Sequence, residues 1–307
     1  MSLPLSDKET ANKLKHRASV ASILLATGLS LLKLVASLVS GSLSVFSSMV
    51  DSLSDVLGSA ITFVAIKYSA KPATFQHRYG YGKAEAISAV FQALFVAGSG
   101  LFVIYDAIYR FVHPRILEET SWSILVMVIS LVLTLILIAY QRYVAKVTGS
   151  QAILADSAHY GVDVLTNVSI IISLTIVDFF EIYWFDTLAA VGIALYLLWS
   201  AFGLIKKAFN ILLDHELSDD VRGNIQQIIT NHAFVRGFHD LRTRDSGNDY
   251  LIELHLELDG NLSLFEAHRL SDIIESDILK AYPNAQIIIH QDPAGICEER
   301  LDEKLAK

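Results

Sequence analysis

One cysteine, Cys297, is all the thiol in this chain, which excludes an intrachain disulfide framework and any cysteine-based zinc knuckle. Charge is also sparse. Only 18% of the 307 residues are Asp, Glu, Lys or Arg, whereas 53% are hydrophobic, a balance too apolar for an ordinary soluble domain. Positive charge is in deficit as well: the formal net charge is −8 and no basic patch is interleaved with aromatics, so nucleic acid is not a partner. The amino-terminal MSLPLSDKETANKLKHR is polar and basic, and the apolar run after it is too long for the core of a cleavable signal peptide. No serine or cysteine nucleophile stands beside a base, and the glycine-rich loop TFQHRYGYGKAE, which follows no strand, matches no phosphate-binding fingerprint. These absences leave a membrane protein with a soluble part, and not an enzyme.

Six apolar runs are long enough to cross a bilayer, which takes roughly 20 helical residues. They cover about Ala18–Val39, Ser42–Ser69, Ala84–Val112, Ser121–Val144, Ser150–Val177 and Trp184–Leu204. One side collects Lys8, Lys13, Lys15, Arg17, Lys67, Lys71, Arg78, Lys83, Arg142, Lys146, Lys206 and Lys207. The other has Arg110 and Arg115, so both termini are expected in the cytoplasm. Trp122 and Trp184 fall at the outer ends of their helices, where an aromatic belt belongs.

Two runs carry acids where lipid should be. MVDSLSDVLGS holds Asp51 and Asp55 four residues apart, and LADSAHYGVDVLTN holds Asp156, His159 and Asp163, the last two also four apart. Residues four apart share one helix face. Asp51 lies nine residues from the outer end of its helix and His159 nine from the inner end of its own. At 1.5 Å per residue each is roughly 14 Å deep, near the middle of a ~30 Å core. Aligning Asp51-xxx-Asp55-Val-Leu with His159-xxx-Asp163-Val-Leu keeps the spacing, and three spans per half makes the halves inverted repeats, as in transporters. Ionisable groups at this depth mark an ion pathway.

An imidazole with three carboxylates is a nitrogen and oxygen set suited to tetrahedral zinc, with iron(II) or cadmium as further candidates. It offers no six-oxygen cage for calcium or magnesium. The plainer reading is that these groups pair with one another or with Lys33 to hold helices together, but three acids outnumber the one buried base. Asp156 sits one turn nearer the cytoplasm and reads as an entrance or supporting carboxylate. Asp106 reads as a local partner of Arg110, and Asn167 as an interhelical hydrogen-bonder.

After Leu204 the texture changes. Ser218-Asp219-Asp220 opens a helix, VRGFHDLRTRD and YLIELHLELD read as a hairpin across Ser246-Gly247-Asn248, Ser263 and Glu266 form a capping box, and AQIIIHQD is a last strand. The order is αββαβ. Strand alternation puts Glu253, His255 and Glu257 on one face, and His290 with Asp292 on one face of the last strand. Each alone is more often a surface residue; together with His239 and His268 they point to a cytoplasmic metal site. His16, His113, His215 and His232 lack partners and read as ordinary residues. The chain divides into a cytoplasmic segment 1–17, a six-helix transport domain 18–208, a cytoplasmic domain 209–293 and a charged, mobile tail 294–307.

Asp51-xxx-Asp55, His159-xxx-Asp163, HRYGYGKAE, HDLRTR and IIHQDP together resemble the cation diffusion facilitator family, most closely its bacterial zinc- and iron-efflux branch, from Arg17 to about Pro293. The resemblance implies an α-helical membrane protein of six transmembrane helices with a C-terminal cytoplasmic α+β domain of metallochaperone-like, ferredoxin-like fold. It implies a homodimer in the bacterial inner (plasma) membrane that exports divalent metal in exchange for protons. Carried over by motif, Asp51, Asp55, His159 and Asp163 form the transport site. His239, His255, His268, His290, Gln291 and Asp292 match a cytoplasmic binuclear site at the dimer interface, and Lys83 and Asp214 match a salt bridge joining the two parts. A loop site of the family survives here only as His77, with Thr74 and Tyr81 at its other positions. The histidine-rich loop of eukaryotic vesicular zinc transporters is replaced by Lys146-Val-Thr-Gly-Ser.

Charge alone argues for proton coupling. Three carboxylates cannot all stay ionised in one low-dielectric place, and a divalent cation needs its ligands deprotonated, so loading expels protons. A passive channel is the first rival, although four close ligands hold an ion too tightly for conduction. A membrane-embedded metallohydrolase is the second, although four protein ligands leave no position for a catalytic water.

Overall fold

The structure is a computed structural model that describes residues 8–40, 43–112, 121–180, 184–247, 249–296 and 300–305. It divides into two compact units, Met1–Phe209 and Asn210–Lys307.

Among the described residues, the first unit is built from long helices: α1 (Lys8–Ser40), α2 (Leu43–Ser69), α3 (Ala84–Val112), α4 (Ser121–Thr148), α5 (Gln151–Phe180) and α6 (Trp184–Leu212). Stretches of α1, α3, α4 and α6 (Lys8–Val35, Ala84–Tyr105, Val128–Thr148 and Ala190–Leu212) are long and apolar enough to cross a membrane. The other two, α2 and α5, are 27 and 30 residues long and carry the intramembrane acids. Apolar side chains such as Leu101, Phe102, Leu195 and Trp199 point outward and exposed, as lipid contact requires. Inside, the helices meet over small residues, among them Ala18, Ala26, Ala93, Ala152, Ala155 and Ala194, which let backbones approach closely. Gly100 is one such point. A Cβ there would lie 3.3 Å from the Ala194 carbonyl oxygen, so α3 and α6 could not keep their spacing with a larger residue.

At one end of this bundle a buried ion pair replaces apolar packing. Lys15 Nζ donates to Glu85 Oε1 at 2.8 Å, with both side chains almost fully buried. Ser69 Oγ donates to the same oxygen at 2.9 Å, and Ser150 Oγ donates to Glu85 Oε2. The pair lies just ahead of the apolar run of α1. Lys15 is turned inward, and the preceding turns are carried by the exposed Glu9–Lys13 pair four residues apart. Ser150 then opens α5, after Gly149 closes α4 at φ 71°, a left-handed conformation that glycine adopts without steric cost.

The second unit runs α7 (Asp219–Thr230), β1 (Gly237–Asp245), β2 (Tyr250–Leu258), α8 (Leu264–Ala281), β3 (Ala285–Pro293) and α9 (Leu301–Leu305). The sheet order is β1-β2-β3: β2 pairs antiparallel with β1 and, through the α8 crossover, parallel with β3. Ile252, Leu254, Leu256 and Leu258 point to one face, where they bury against Ile225 and Ile229 of α7 and Ile274 and Ile278 of α8. Period two along β2 thus leaves Glu253, His255 and Glu257 on the other face. The Ser263–Glu266 capping box forms as the sequence predicts. Ser218 occupies the N-cap of α7 with extended backbone, but its side chain makes no capping bond. The tail, which reads as mobile in the sequence, carries α9, whose first N–H groups are bonded to the carboxylate of Asp240. That helix holds because Asp240 caps it from β1.

Breaking the Lys15–Glu85 pair tests what it contributes. Glu85→Leu takes the carboxylate away from a buried ammonium and should cost about 3–5 kcal/mol, lowering the thermal midpoint of the detergent-purified protein. Lys15→Met combined with Glu85→Leu should recover most of that loss. A double variant as unstable as the single one would show that the pair is not the reason.

Candidate metal centres

Period 3.6 turns Asp55 of α2 and His159 of α5 toward each other across the helix interface. His159 Nε2 lies 3.1 Å from Asp55 Oδ1, with the ring nearly fully buried against Phe95 and Tyr160. The other ring nitrogen, Nδ1, is buried with no hydrogen-bond partner among the described residues. Asp163 follows one turn along α5, and it and Asp156 lie with Asp55 within electrostatic reach of the imidazole. Asp51 is on α2 one turn from Asp55, but its side chain falls outside the described residues, as do those of Asp106, Asn167, Trp122 and Trp184. Lys33, the cation the plainer reading pairs with these acids, donates to Ser52 Oγ at 2.7 Å.

Asp156 is fully buried, one turn from His159. Its carboxylate accepts from Ser22 Oγ at 2.7 Å, Gln141 Nε2 at 2.6 Å and Gln92 Nε2 at 3.1 Å. Ser22 continues to Ser59 Oγ at 2.8 Å, and Ser59 to the Tyr160 hydroxyl at 2.7 Å. Gln92 also donates to the Gly58 carbonyl and to Thr62 Oγ1. One acid therefore ties α1, α2, α3, α4 and α5 together directly beside the His159–Asp55 contact. Gly58 makes room for it: a Cβ there would come within 3.2 Å of the Gln92 amide.

In the second unit the strand register assembles the cluster. His239, His255 and His290 are aligned across β1, β2 and β3, and Gly237, Glu257 and Asp292 form the neighbouring row on the same face. Directly opposed residues have close side chains, so each row becomes a contact. The His239 and His255 rings stack at 4.9 Å, and those of His255 and His290 lie 4.7 Å apart. Asp292 Oδ2 is 2.8 Å from His255 Nδ1 and 3.7 Å from His239 Nε2, while Asp292 Oδ1 is 3.2 Å from His290 Nε2. His239, His255 and Asp292 each offer a ligand atom within 4.8 Å of the others, the one such group of three among the described residues. His268 lies apart on α8, exposed and 3.7 Å from Asp272, and Gln291 points the other way along β3 to bond Ser271 Oγ at 3.0 Å. A single chain brings together three of the six cytoplasmic positions closely, with His290 beside them.

Residues missed by sequence reading complete both places. Gln92 and Gln141 were legible only as amides inside apolar runs. Glu257 shares its face with His255, but nothing in the strand pattern says that its carboxylate turns to His239 Nδ1, 3.1 Å away, or that Arg300 Nη2 donates to the same oxygen at 2.6 Å. Asp240 is at φ 51° in the register shift of β1. Burial pushes its carboxyl up, but the N–H groups of Leu301 and Asp302 outweigh that and hold it below the usual carboxylate range. In the loop after α2, Thr74, His77 and Tyr81 do meet, with the His77 ring stacked on Tyr81 at 4.5 Å and the Tyr81 hydroxyl 3.2 Å from Thr74 Oγ1. They supply one nitrogen ligand between them. Asp214, expected to pair with Lys83, is 3.2 Å from Arg244 Nη1.

A helical membrane unit with acids inside it and a separate α+β unit define a membrane transport protein. Residues 19–213 match the cation efflux transmembrane domain and residues 217–294 the cytoplasmic domain of cation efflux proteins. The chain is 40% identical to protein p34 of Rickettsia rickettsii over 95% of its length and 96% of that protein. It is 38% identical to the cation-efflux pump FieF of Klebsiella pneumoniae over 94% and 96%. Among solved structures, the metal-bound C-terminal domain of the CzcD transporter from Thermotoga maritima is 31% identical, covering 26% of this chain and 93% of that one, with a TM-score of 0.25. A cytosolic domain of a cation diffusion facilitator family protein is 31% identical over 25% and 93%, with a TM-score of 0.24. The chain belongs to the cation diffusion facilitator family of cation efflux transporters, and is not an enzyme.

The Asp156 knot gives a direct test of the bundle's polar core. Asp156→Ala takes the acceptor from Gln141 and one partner each from Ser22, which keeps Ser59, and Gln92, which keeps Gly58 and Thr62, at about 1–3 kcal/mol for each donor left unsatisfied. The thermal midpoint in detergent should fall clearly, and Asp156→Asn, which keeps an acceptor oxygen, should fall less. Equal midpoints for both variants and the parent would mean that the network is not formed.

Proposed function

We propose that this transporter exports zinc from the cytoplasm in exchange for protons, with iron(II) and cadmium as further cargo. Asp51, Asp55, His159 and Asp163 are its membrane ligands. The observation that carries the reading is the buried His159–Asp55 contact between α2 and α5, with a ring nitrogen that has no hydrogen-bond partner among the described residues and Asp163 one turn on. A neutral imidazole beside carboxylates is a zinc-competent set. It also dictates the coupling. When the site is empty, carboxylates in a low-dielectric place keep protons; the divalent cation displaces them, and reprotonation from the far side expels the cation. One site then serves both ions in turn, with part of the bundle rocking around the fixed ligands.

The protein acts as a homodimer in the bacterial inner membrane with both termini in the cytoplasm. The cytoplasmic unit binds divalent metal at His239, His255 and Asp292, with His290 beside them and His268 and Gln291 as further ligands in the assembled dimer. The cross-strand alignment of three histidines next to an acid supports this. A carboxylate and two imidazoles within 4.8 Å leave a fourth tetrahedral position to be filled.

Proteoliposomes test the coupling. An imposed pH gradient should drive zinc uphill, whereas a passive channel would only dissipate a zinc gradient whatever the pH. Asp55→Ala should abolish that flux in a folded protein, and near-parental flux would remove the site assignment. His159→Asp tests cargo choice. Replacing the one nitrogen by a fourth carboxylate should lower zinc transport, admit manganese and shift zinc binding to higher pH. An unchanged zinc-to-manganese ratio would mean that His159 does not touch the cargo.

A further inference from the structure

Glu257 is in the acid row beside Asp292, yet it does not face the other ligands. Its side chain folds over Gly237, its partner in β1, where even a Cβ would lie 2.9 Å from Glu257 Oε2. Folded this way, Oε1 stands 3.1 Å from His239 Nδ1. An Nδ1–H donated to a carboxylate fixes the ring's orientation and leaves the Nε2 lone pair facing Asp292, the arrangement by which an outer carboxylate prepares an imidazole for a metal. The same Oε1 receives Arg300 Nη2 at 2.6 Å. Arg300 lies beyond the stretch that matches the family's cytoplasmic domain, which ends at residue 294. What holds it there is a reciprocal set of bonds: Leu301 N and Asp302 N donate to the Asp240 carboxylate at 3.0 Å, and Asp240 N donates to Asp302 Oδ2 at 2.9 Å. Asp240 immediately follows His239, in the irregular stretch of β1. The tail is therefore fastened at both ends of the first cluster residue, to its neighbour and to its carboxylate.

We propose that the segment Arg300–Leu305 is a strap that sets the metal affinity of the cytoplasmic cluster, Glu257 acting as the positioning residue of His239 and Arg300 as its counterweight. This rests on the reading that the cluster binds metal. Glu257 raises the donor strength of His239 by accepting its Nδ1–H. Arg300 draws on the same oxygen and brings a positive charge to the side of the ring away from Asp292. Both effects oppose a divalent cation at Nε2. The docked strap is thus a brake on loading. By reciprocity, metal at the cluster weakens the strap's hold, so that filling the site and releasing residues 300–305 favour each other.

Full-length protein in detergent tests this by competition for zinc with a chromophoric chelator, the zinc lost in His255→Ala being counted as the cluster's. Arg300→Ala should bind cluster zinc about threefold to tenfold tighter, as removal of one partly screened charge predicts. Glu257→Gln should bind it weaker by a similar or larger factor, as loss of an outer carboxylate does. Arg300→Lys, which keeps the charge, should stay close to the parent. The opposite signs are diagnostic: both substitutions break one ion pair, and a purely structural role would move both affinities the same way. A parent that binds as much zinc as His255→Ala would overturn the cluster itself. Cluster zinc that is His255-dependent but equally tight, or weaker, in Arg300→Ala would overturn the strap alone. Deleting residues 300–307 should reproduce Arg300→Ala; parental affinity there would also contradict the proposal.

Discussion

An imidazole held 3.1 Å from a carboxylate between two apolar helices is the constraint around which the membrane unit is arranged. Ionisable groups in a bilayer are costly unless they meet each other or an ion. α2 and α5 must therefore face one another, and the rest of the bundle must hold them there. The holding is itself polar. Asp156 gathers Ser22, Gln92 and Gln141 from three helices one turn from the contact, and Lys15 with Glu85 closes one end of the bundle. Between these points buried alanines lie among larger apolar side chains such as Ile66, Ile153, Val162 and Leu197, which provide proximity and little directional hold. Directional bonds fix the register, and small residues permit the approach.

The cytoplasmic unit solves a simpler problem by register. One row of histidines and one row containing Glu257 and Asp292 follow from pairing β2 with both neighbours on a face that the core leaves open. A one-residue slip in any strand would send those side chains into the Ile225–Ile274 core, so the fold and the metal cluster are specified together. The irregular stretch of β1 adds the remaining piece, since it turns Asp240 toward the tail while His239 stays in its row.

Much of this was legible in the sequence. The i, i+4 spacing of Asp51, Asp55, His159 and Asp163 in apolar runs places acids on helix faces before any coordinates exist, and alternation in YLIELHLELD sorts β2 into core and cluster faces. The element order αββαβ and the capping box at Ser263 were equally readable. What sequence could not supply were contacts between distant elements with no periodic signature. Nothing marks Gln92 and Gln141 as sharing one carboxylate 64 and 15 residues away. The charged tail reads as solvated because its composition is polar, and only the three-dimensional position of Asp240 gives its N–H groups a partner. Lys15 likewise reads as a surface charge until Glu85 is seen opposite it.

The central claim is that the membrane ligands exchange protons for metal in one place. The most direct measurement is zinc binding by calorimetry in buffers of different ionisation enthalpy, on protein whose cytoplasmic cluster is disabled by His255→Ala and Asp292→Ala. The dependence of the observed enthalpy on the buffer counts protons. The account predicts at least one proton released for each zinc bound, and none when Asp55 is also replaced by alanine because zinc no longer binds. Zinc binding at the membrane site with no proton release would contradict it.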